Sequence, residues 1–136
     1  MDLEMARATI RKSDLFAGMD DDTVGIVLGY ATERGFETDE VVFRRGELAG
    51  NSFLLVVSGH MNVLHDDGQL IRSLGSGEVI GEIGTISPKR KRTRDVVAAD
   101  HTEVLEWNLL DIEEKVPDLL ARLKELAWQR ISDWPD

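Results

Sequence analysis

The sequence contains no cysteine, and its 136 residues include no long apolar run. The absence of cysteine excludes disulfides, thiol catalysis and thiolate metal sites. No apolar stretch approaches the roughly 20 residues of a membrane-spanning helix, and the first residues lack the apolar centre of a signal peptide. We therefore expect a cytoplasmic protein without a membrane segment.

Positive charge is scarce: 16 Lys and Arg stand against 26 Asp and Glu, for a formal net charge of −10. This excess of negative charge argues against general affinity for nucleic acid or anionic lipid. Residues 89–94 (KRKRTR) nevertheless hold five of the sixteen positive charges, and without them the remainder sums to −15 (11 − 26). A local basic cluster of this kind can still bind a small anion.

Two glycines and a glutamate precede the basic cluster, in the segment 81–84 (GEIG). Gly81 would let the backbone approach a ligand closely, and a short turn ended by Pro88 would point N–H groups at a phosphate. The carboxylate of Glu82 could accept hydrogen bonds from sugar hydroxyls, while a guanidinium pairs with a phosphate. On the residues alone, a solvated charged loop between two strands explains the pattern equally well.

The chain divides into three parts, which we expect to form one domain over residues 1–136. Residues 3–34 read as helical, because acidic residues precede apolar residues at helical spacing. Residues 37–107 contain short β-rich runs separated by turn signals such as Asp67-Gly68, a pattern typical of an all-β sandwich or barrel. Residues 108–134 are helical again, with one apolar stripe of Val116, Leu119, Leu120, Leu123, Leu126, Ala127 and Ile131.

Candidate catalytic and metal-binding residues are few. The three histidines, His60, His65 and His101, lack the spacing of a metal site, and we expect them to be surface or packed side chains. No Gly-x-Ser-x-Gly elbow or Ser–His–Asp arrangement is present. We therefore predict no metal, no catalytic residue and no enzymatic activity.

Several phrases of the sequence resemble cyclic nucleotide-binding domains, the sensor modules of catabolite activator protein, protein kinase A regulatory subunits and cyclic nucleotide-gated channels. They are "DLFAG" at residue 14, "SFLLVVSGHMNVL" at 52, "GEVIGEIG" at 77 and "RTRDVVAA" at 92. The last two are similar to the start and end of the family's phosphate-binding cassette. The resemblance covers roughly residues 14–130 and implies a mainly β fold, an eight-stranded jelly-roll-like β-roll with N-terminal and C-terminal helices.

The resemblance also implies roles for particular residues. Gly81 and the backbone N–H of Ile83 would face the cyclic phosphate, which Arg92 would pair with. Glu82 would accept from the ribose 2′-hydroxyl, and Thr93 would add a donor. Ile80, Leu74 and Leu64 are further candidates, as apolar contacts of the pocket. Arg90 would be the phosphate ligand if the loop aligns two residues shorter. Trp128 would either stack on the base or pack at the surface.

Arg94 departs from the family pattern, which usually has a small residue after the Arg-Thr pair. We expect Arg94 to point outward, or else the cassette to be altered. Arg92 is preferred as the phosphate ligand because its distance to the VVAA phrase and its following threonine both fit the family, and Lys89, Arg90, Lys91 and Arg94 would then face solvent. The C-terminal helix would cover the base or carry a homodimer contact.

The leading hypothesis is a regulatory sensor that binds cAMP, slightly favoured over cGMP, and signals through movement of its C-terminal helix. It would need no cofactor besides this ligand. No helix-turn-helix pattern follows the sensor region, so we expect no DNA-binding domain in this chain, and its effector protein is unknown. The alternative is a degenerate domain of the same fold that binds no nucleotide and acts as a protein-interaction scaffold.

Overall fold

The computed structural model describes residues 1–82 and 91–133 of the chain. An N-terminal helical part precedes a β-rich middle and a C-terminal helical part. The N-terminal part comprises α1 (Leu3–Lys12), a 3₁₀ turn (Asp14–Phe16) and α2 (Asp21–Gly29). The strands in the described residues are β1 (Thr32–Phe36), β2 (Val41–Phe43), β3 (Ser52–Ser58), β4 (Met61–Leu64), β5 (Leu70–Leu74), β6 (Val79–Ile80), β7 (Asp95–Ala98) and β8 (Thr102–Asn108). The C-terminal part holds α3 (Leu109–Ile112) and α4 (Leu119–Asp133).

The strands form two four-stranded antiparallel sheets, with orders β1-β8-β3-β6 and β2-β7-β4-β5. The predicted β-roll flanked by helices is therefore confirmed. The predicted boundary between the first two parts was wrong, because Thr32 already pairs with Glu106 in β1. This edge strand buries only Phe36, so its sequence shows no alternation of apolar and polar residues, and only the pairing with β8 reveals it.

Two apolar cores lie on opposite faces of the β1-β8-β3-β6 sheet, because side chains alternate along β3. Phe53, Leu55 and Val57 pack toward the helices, whereas Leu54 and Val56 fill the interior of the roll. The helix-side core also takes in two buried side chains of α4, Leu119 and Leu123, and Ala127 of the same helix is fully buried. Burial of this face fixes α4 against the roll, and so it fixes the position of any side chain that α4 sends toward the sheet.

The turn between β3 and β4 depends on a glycine. Gly59 has a φ of +87°, and a Cβ there would lie 2.5 Å from the backbone oxygen of His101. Next to it the backbone N–H of His60 donates to Asp100 over 2.7 Å, and the ring of His60 lies 2.8 Å from the same carboxylate. His60 and His101 are both more than half exposed, in keeping with the expected surface position. The described residues contain no cluster of three or more His, Asp and Glu residues that could hold a metal ion.

In the described part of the chain, no helix has both the length and the apolar character needed to cross a bilayer.

Candidate functional site

Glu82 lies two residues after the end of β6 and is almost fully buried, with 1% of its surface exposed. Gly81 allows the chain to place Glu82 in the interior, because its φ of +88° turns the backbone inward. A Cβ on Gly81 would approach Arg92 Nη1 to 2.8 Å and the Phe43 ring to 3.1 Å. The glycine is therefore required both for the backbone turn and for the close packing beside it.

The buried carboxylate of Glu82 pairs with an arginine from α4. Arg130 Nη1 lies 2.8 Å from Glu82 Oε1, and the two side chains are 10% and 2% exposed. Arg130 also donates to the backbone carbonyl of Val79 in β6. The second carboxylate oxygen, Oε2, is buried and accepts no hydrogen bond from the described residues. Since buried polar atoms are normally paired, this oxygen is a buried acceptor that lacks a donor among the described residues.

Arg92 lies under the same turn with only 6% of its surface exposed. Its Nη1 donates to the carbonyl of Gly81 over 2.9 Å, and its Nη2 donates to the carbonyls of Ala49 and Ser52 over 3.1 and 3.2 Å. The guanidinium carbon lies 3.7 Å from the centre of the Phe43 ring, in a cation–π contact. Arg92 therefore ties the loop before β3 to the end of β6.

Burial lowers the pKa of the Arg92 guanidinium from its ordinary value, while the negative charges of Glu47, Glu82 and Glu106 act in the opposite direction. An arginine stays protonated in proteins even after such a shift. The site consequently holds a buried positive charge, which favours the approach of an anion.

A cavity opens between these side chains, with a volume of about 30 Å³. This is room for a water molecule or two, so a nucleotide can enter only if surrounding groups move. The described residues that line it are Phe43, Val63, Ile80, Gly81, Glu82, Arg92, Thr93, Arg94, Val96 and Arg130.

Half of the predicted site residues line this cavity: Ile80, Gly81, Glu82, Arg92 and Thr93. Ile83 and Arg90, the other two cassette candidates, lie outside the described residues.

The structure places three further candidates away from the cavity lining. Leu74 is fully buried in the roll interior. Leu64 lies on the other face of β4 from Val63, which lines the cavity instead, because neighbouring side chains of a strand point in opposite directions. Trp128 is 69% exposed on α4, which agrees with a surface position and leaves base stacking a prediction.

The expected outward orientation of Arg94 was wrong. Arg94 is only partly exposed, and it is among the residues that line the cavity together with Arg92. Lys91 does face solvent as predicted, while Lys89 and Arg90 lie outside the described residues. Arg92, Thr93 and Arg94 are consecutive, and all three line the cavity.

Arg130 is a charged residue of the candidate site that the sequence reasoning missed. It follows Ala127 by three positions and Leu123 by seven, so it lies on the buried face of α4 and is 8% exposed. The apolar stripe had instead been extended to Ile131, which is 50% exposed. A charged residue in phase with a buried helical stripe was the available signal. Phe43, Val63 and Val96 were also missed, since nothing in their local sequence distinguishes them from other core positions.

Residues 33–116 match the cyclic nucleotide-binding domain family, and the chain belongs to that family. Domains of this family are non-enzymatic sensors, so membership supports the expectation that the chain is not an enzyme.

Individual relatives agree with this assignment. The chain is 31% identical to the cyclic AMP receptor protein of Thermus thermophilus over 131 residues, which are 91% of this chain and 60% of that protein. Its structure is similar to that of the Thermus thermophilus catabolite activator protein, with a TM-score of 0.77, 28% identity, and coverage of 89% of this chain and 59% of the other. A cyclic nucleotide-binding domain from Methylobacillus flagellatus has a TM-score of 0.77 and 25% identity, and the alignment covers 96% of this chain and 78% of that one. The chain thus spans 60% of the length of its curated Thermus relative.

Proposed function

We propose that the chain is a regulatory sensor that binds a cyclic nucleotide, cAMP in preference to cGMP, in the cavity between β6, residues 92–94 and α4. The observation that carries the proposal is the state of Glu82. One of its oxygens is held by Arg130, and the other is buried and accepts no hydrogen bond from the described residues. A ribose 2′-hydroxyl supplies the donor that such an oxygen requires.

The cyclic phosphate is assigned to Arg92, with Gly81 and Thr93 beside it. Among the described residues, three of the five guanidinium N–H groups of Arg92 donate to backbone carbonyls. A charge-assisted bond to phosphate is stronger than a bond to a neutral carbonyl. The phosphate can therefore displace a carbonyl partner and draw Arg92 toward the ligand.

Arg130 couples ligand binding at Glu82 to the position of α4, because it belongs to that helix. A hydroxyl that binds Glu82 shares this carboxylate with Arg130, whose backbone belongs to α4. Ligand binding would then shift α4 between two positions, by no more than the difference in ligand affinity for the two states. The exposed Trp128 and Ile131 of α4 offer an apolar surface for the proposed homodimer contact.

The test is a calorimetric titration of the chain with cAMP and with cGMP, followed by amide hydrogen exchange of α4. We expect saturable binding, tighter for cAMP, and a change in exchange within residues 119–133 when the ligand is added. Binding without any change in α4 would contradict the signalling part of the proposal and leave the binding part intact.

The second candidate function is a protein-interaction scaffold that binds no nucleotide. It is favoured by the state of Arg92, whose guanidinium is stacked on Phe43 and bonded to three carbonyls within the fold. A folded protein that gives no binding heat with millimolar cAMP or cGMP, and no thermal shift, would exclude the sensor and favour this second candidate.

A further inference from the structure

The guanidinium of Arg92 lies against the ring of Phe43, the last residue of β2. The distance of 3.7 Å from the central guanidinium carbon to the ring centre is the van der Waals separation of two carbon atoms. The cation therefore meets the face of the ring, where the negative end of the ring quadrupole lies. Phe43 and Arg92 are only 8% and 6% exposed, so little water screens this attraction.

The ring contact does not use up the hydrogen-bond donors of Arg92. Those donors lie in the plane of the guanidinium, whereas the ring attracts the charge through its face. In the structure the donors go to the backbone carbonyls of Gly81, Ala49 and Ser52. A phosphate can replace one of these carbonyls while the contact with Phe43 stays in place.

The stretch of chain that begins at Phe43 also holds the backbone of Arg92. The N–H of Gly46 donates to the carbonyl of Arg92 over 2.8 Å, and the N–H of Arg92 donates to the carbonyl of Glu47 over 2.9 Å. Backbone and side chain of the arginine are thus held by one segment, residues 43–52. A group that is already fixed in place loses less conformational freedom when a ligand binds.

The ring stabilises the buried cation without adding negative charge to the site. Burial lowers the pKa of the Arg92 guanidinium, and the negative charges of Glu47, Glu82 and Glu106 act in the opposite direction. A further carboxylate in place of the ring would attract the guanidinium and also repel an arriving phosphate. An aromatic face attracts the cation and carries no net charge, so it supports Arg92 without opposing the anion.

We propose that Phe43 is a positioning residue of this site: its ring holds the guanidinium of Arg92 at the cavity and thereby strengthens the binding of a phosphate group. Phe43 acts through Arg92 and belongs to β2, outside the motifs that resemble the phosphate-binding cassette. The inference rests on the proposed nucleotide-binding function and adds a residue to its site.

The experiment changes the charge on the face of the ring at nearly constant volume. Position 43 receives 4-fluoro-, 3,5-difluoro- or 3,4,5-trifluorophenylalanine, because fluorine withdraws electron density from the ring face and weakens its attraction for a cation. In calorimetric titrations with cAMP the affinity should fall stepwise along the series, by about three- to thirty-fold for the last member. Phe43→Leu, which removes the ring altogether, should lose at least as much, and a thermal melt verifies that each variant is folded.

The same fluorinated residues at position 36 are the matched control. Phe36 is 2% exposed, belongs to the same interior core of the roll, and has Arg34 over its ring at 4.9 Å. Neither Phe36 nor Arg34 is part of the cavity lining. The affinity for cAMP should therefore stay constant along the series at position 36.

Arg92→Met tests whether Phe43 acts through the arginine. Trifluorophenylalanine at position 43 should lower the urea midpoint of the ligand-free chain, and in Arg92→Met this loss should disappear, because no cation remains on the ring. The cAMP affinity that remains in Arg92→Met should likewise be insensitive to fluorination. A stepwise loss that persists there would mean that the ring contacts the ligand directly, and it would overturn the positioning role.

The remaining outcomes separate the inference from the proposed function. A wild-type chain that binds cAMP, with constant affinity along the series at position 43 or with equal losses at positions 36 and 43, overturns the role of Phe43 and leaves the proposed function standing. A folded wild-type chain that binds neither cAMP nor cGMP overturns the proposed function, and the inference with it, even where the unfolding midpoints confirm the contact.

Discussion

The ion pair between Glu82 and Arg130 offers the sharpest test of the site's geometry, because both side chains are almost fully buried. Arg130→Met keeps the length of the side chain and removes its charge. Glu82 is then left buried without its positive partner, and breaking one partner of a buried pair costs about 3–5 kcal/mol. Domains of this size have a free energy of unfolding of about 5–15 kcal/mol, so the variant should remain folded with reduced stability.

The measurement is urea unfolding at pH 7, followed by circular dichroism. With a denaturant slope of about 2 kcal/mol per molar urea, the midpoint should fall by about 2 M in Arg130→Met. The double variant Glu82→Gln/Arg130→Met removes both charges, and its midpoint should recover by at least about 1 M, because uncharged replacements avoid the cost of an unpaired charge.

Arg72→Met is the control for the loss of an arginine in general. Arg72 pairs with Glu78 over 3.2 Å, and these side chains are 50% and 35% exposed. An exposed pair of this kind contributes about 0–1 kcal/mol. If Arg130→Met costs no more than Arg72→Met, or if the two substitutions in the double variant simply add, then the buried pair does not exist as described and the proposed link between Glu82 and α4 fails.

Three further predictions follow from the same contacts. Glu82→Gln should weaken cAMP binding about ten- to hundred-fold, since a charged acceptor contributes about 1.5–3 kcal/mol; equal affinities in a fluorescence titration would exclude Glu82 from the site. Arg92→Ala should lower the affinity at least about thirty-fold at both low and high salt, whereas Lys91→Ala should lower it less than about ten-fold and only at low salt; a thermal melt verifies that each variant is folded, and similar losses would reduce the site to a diffuse basic patch. Gly59→Ala should destabilise the domain by more than the about 1–2 kcal/mol of left-handed strain that Gly46→Ala incurs, because only at Gly59 does the new Cβ meet backbone atoms; matching urea midpoints for the two variants would contradict this.

The sequence determined the order of the helical and β parts and the short motifs of the site. Local patterns were sufficient because each signal lies within a few residues. Gly81 directly precedes Glu82, and Arg92 directly precedes Thr93, so the resemblance could be read without knowing what lies across the fold. The glycine turns between the strands and the apolar stripe of α4 are local for the same reason, and they predicted the β-roll between helices.

Only the tertiary structure decided which side chains complete the site. Arg130 reaches Glu82 because packing of α4 on the sheet brings two distant segments together, and no local pattern records that distance. The position of Arg94 was decided in the same way, since the fold brings all three of residues 92–94 to the cavity lining. Thr32–Phe36 became a strand through its pairing with β8. In each case the deciding energy comes from burial and pairing between segments far apart in the chain, which one-dimensional spacing cannot represent.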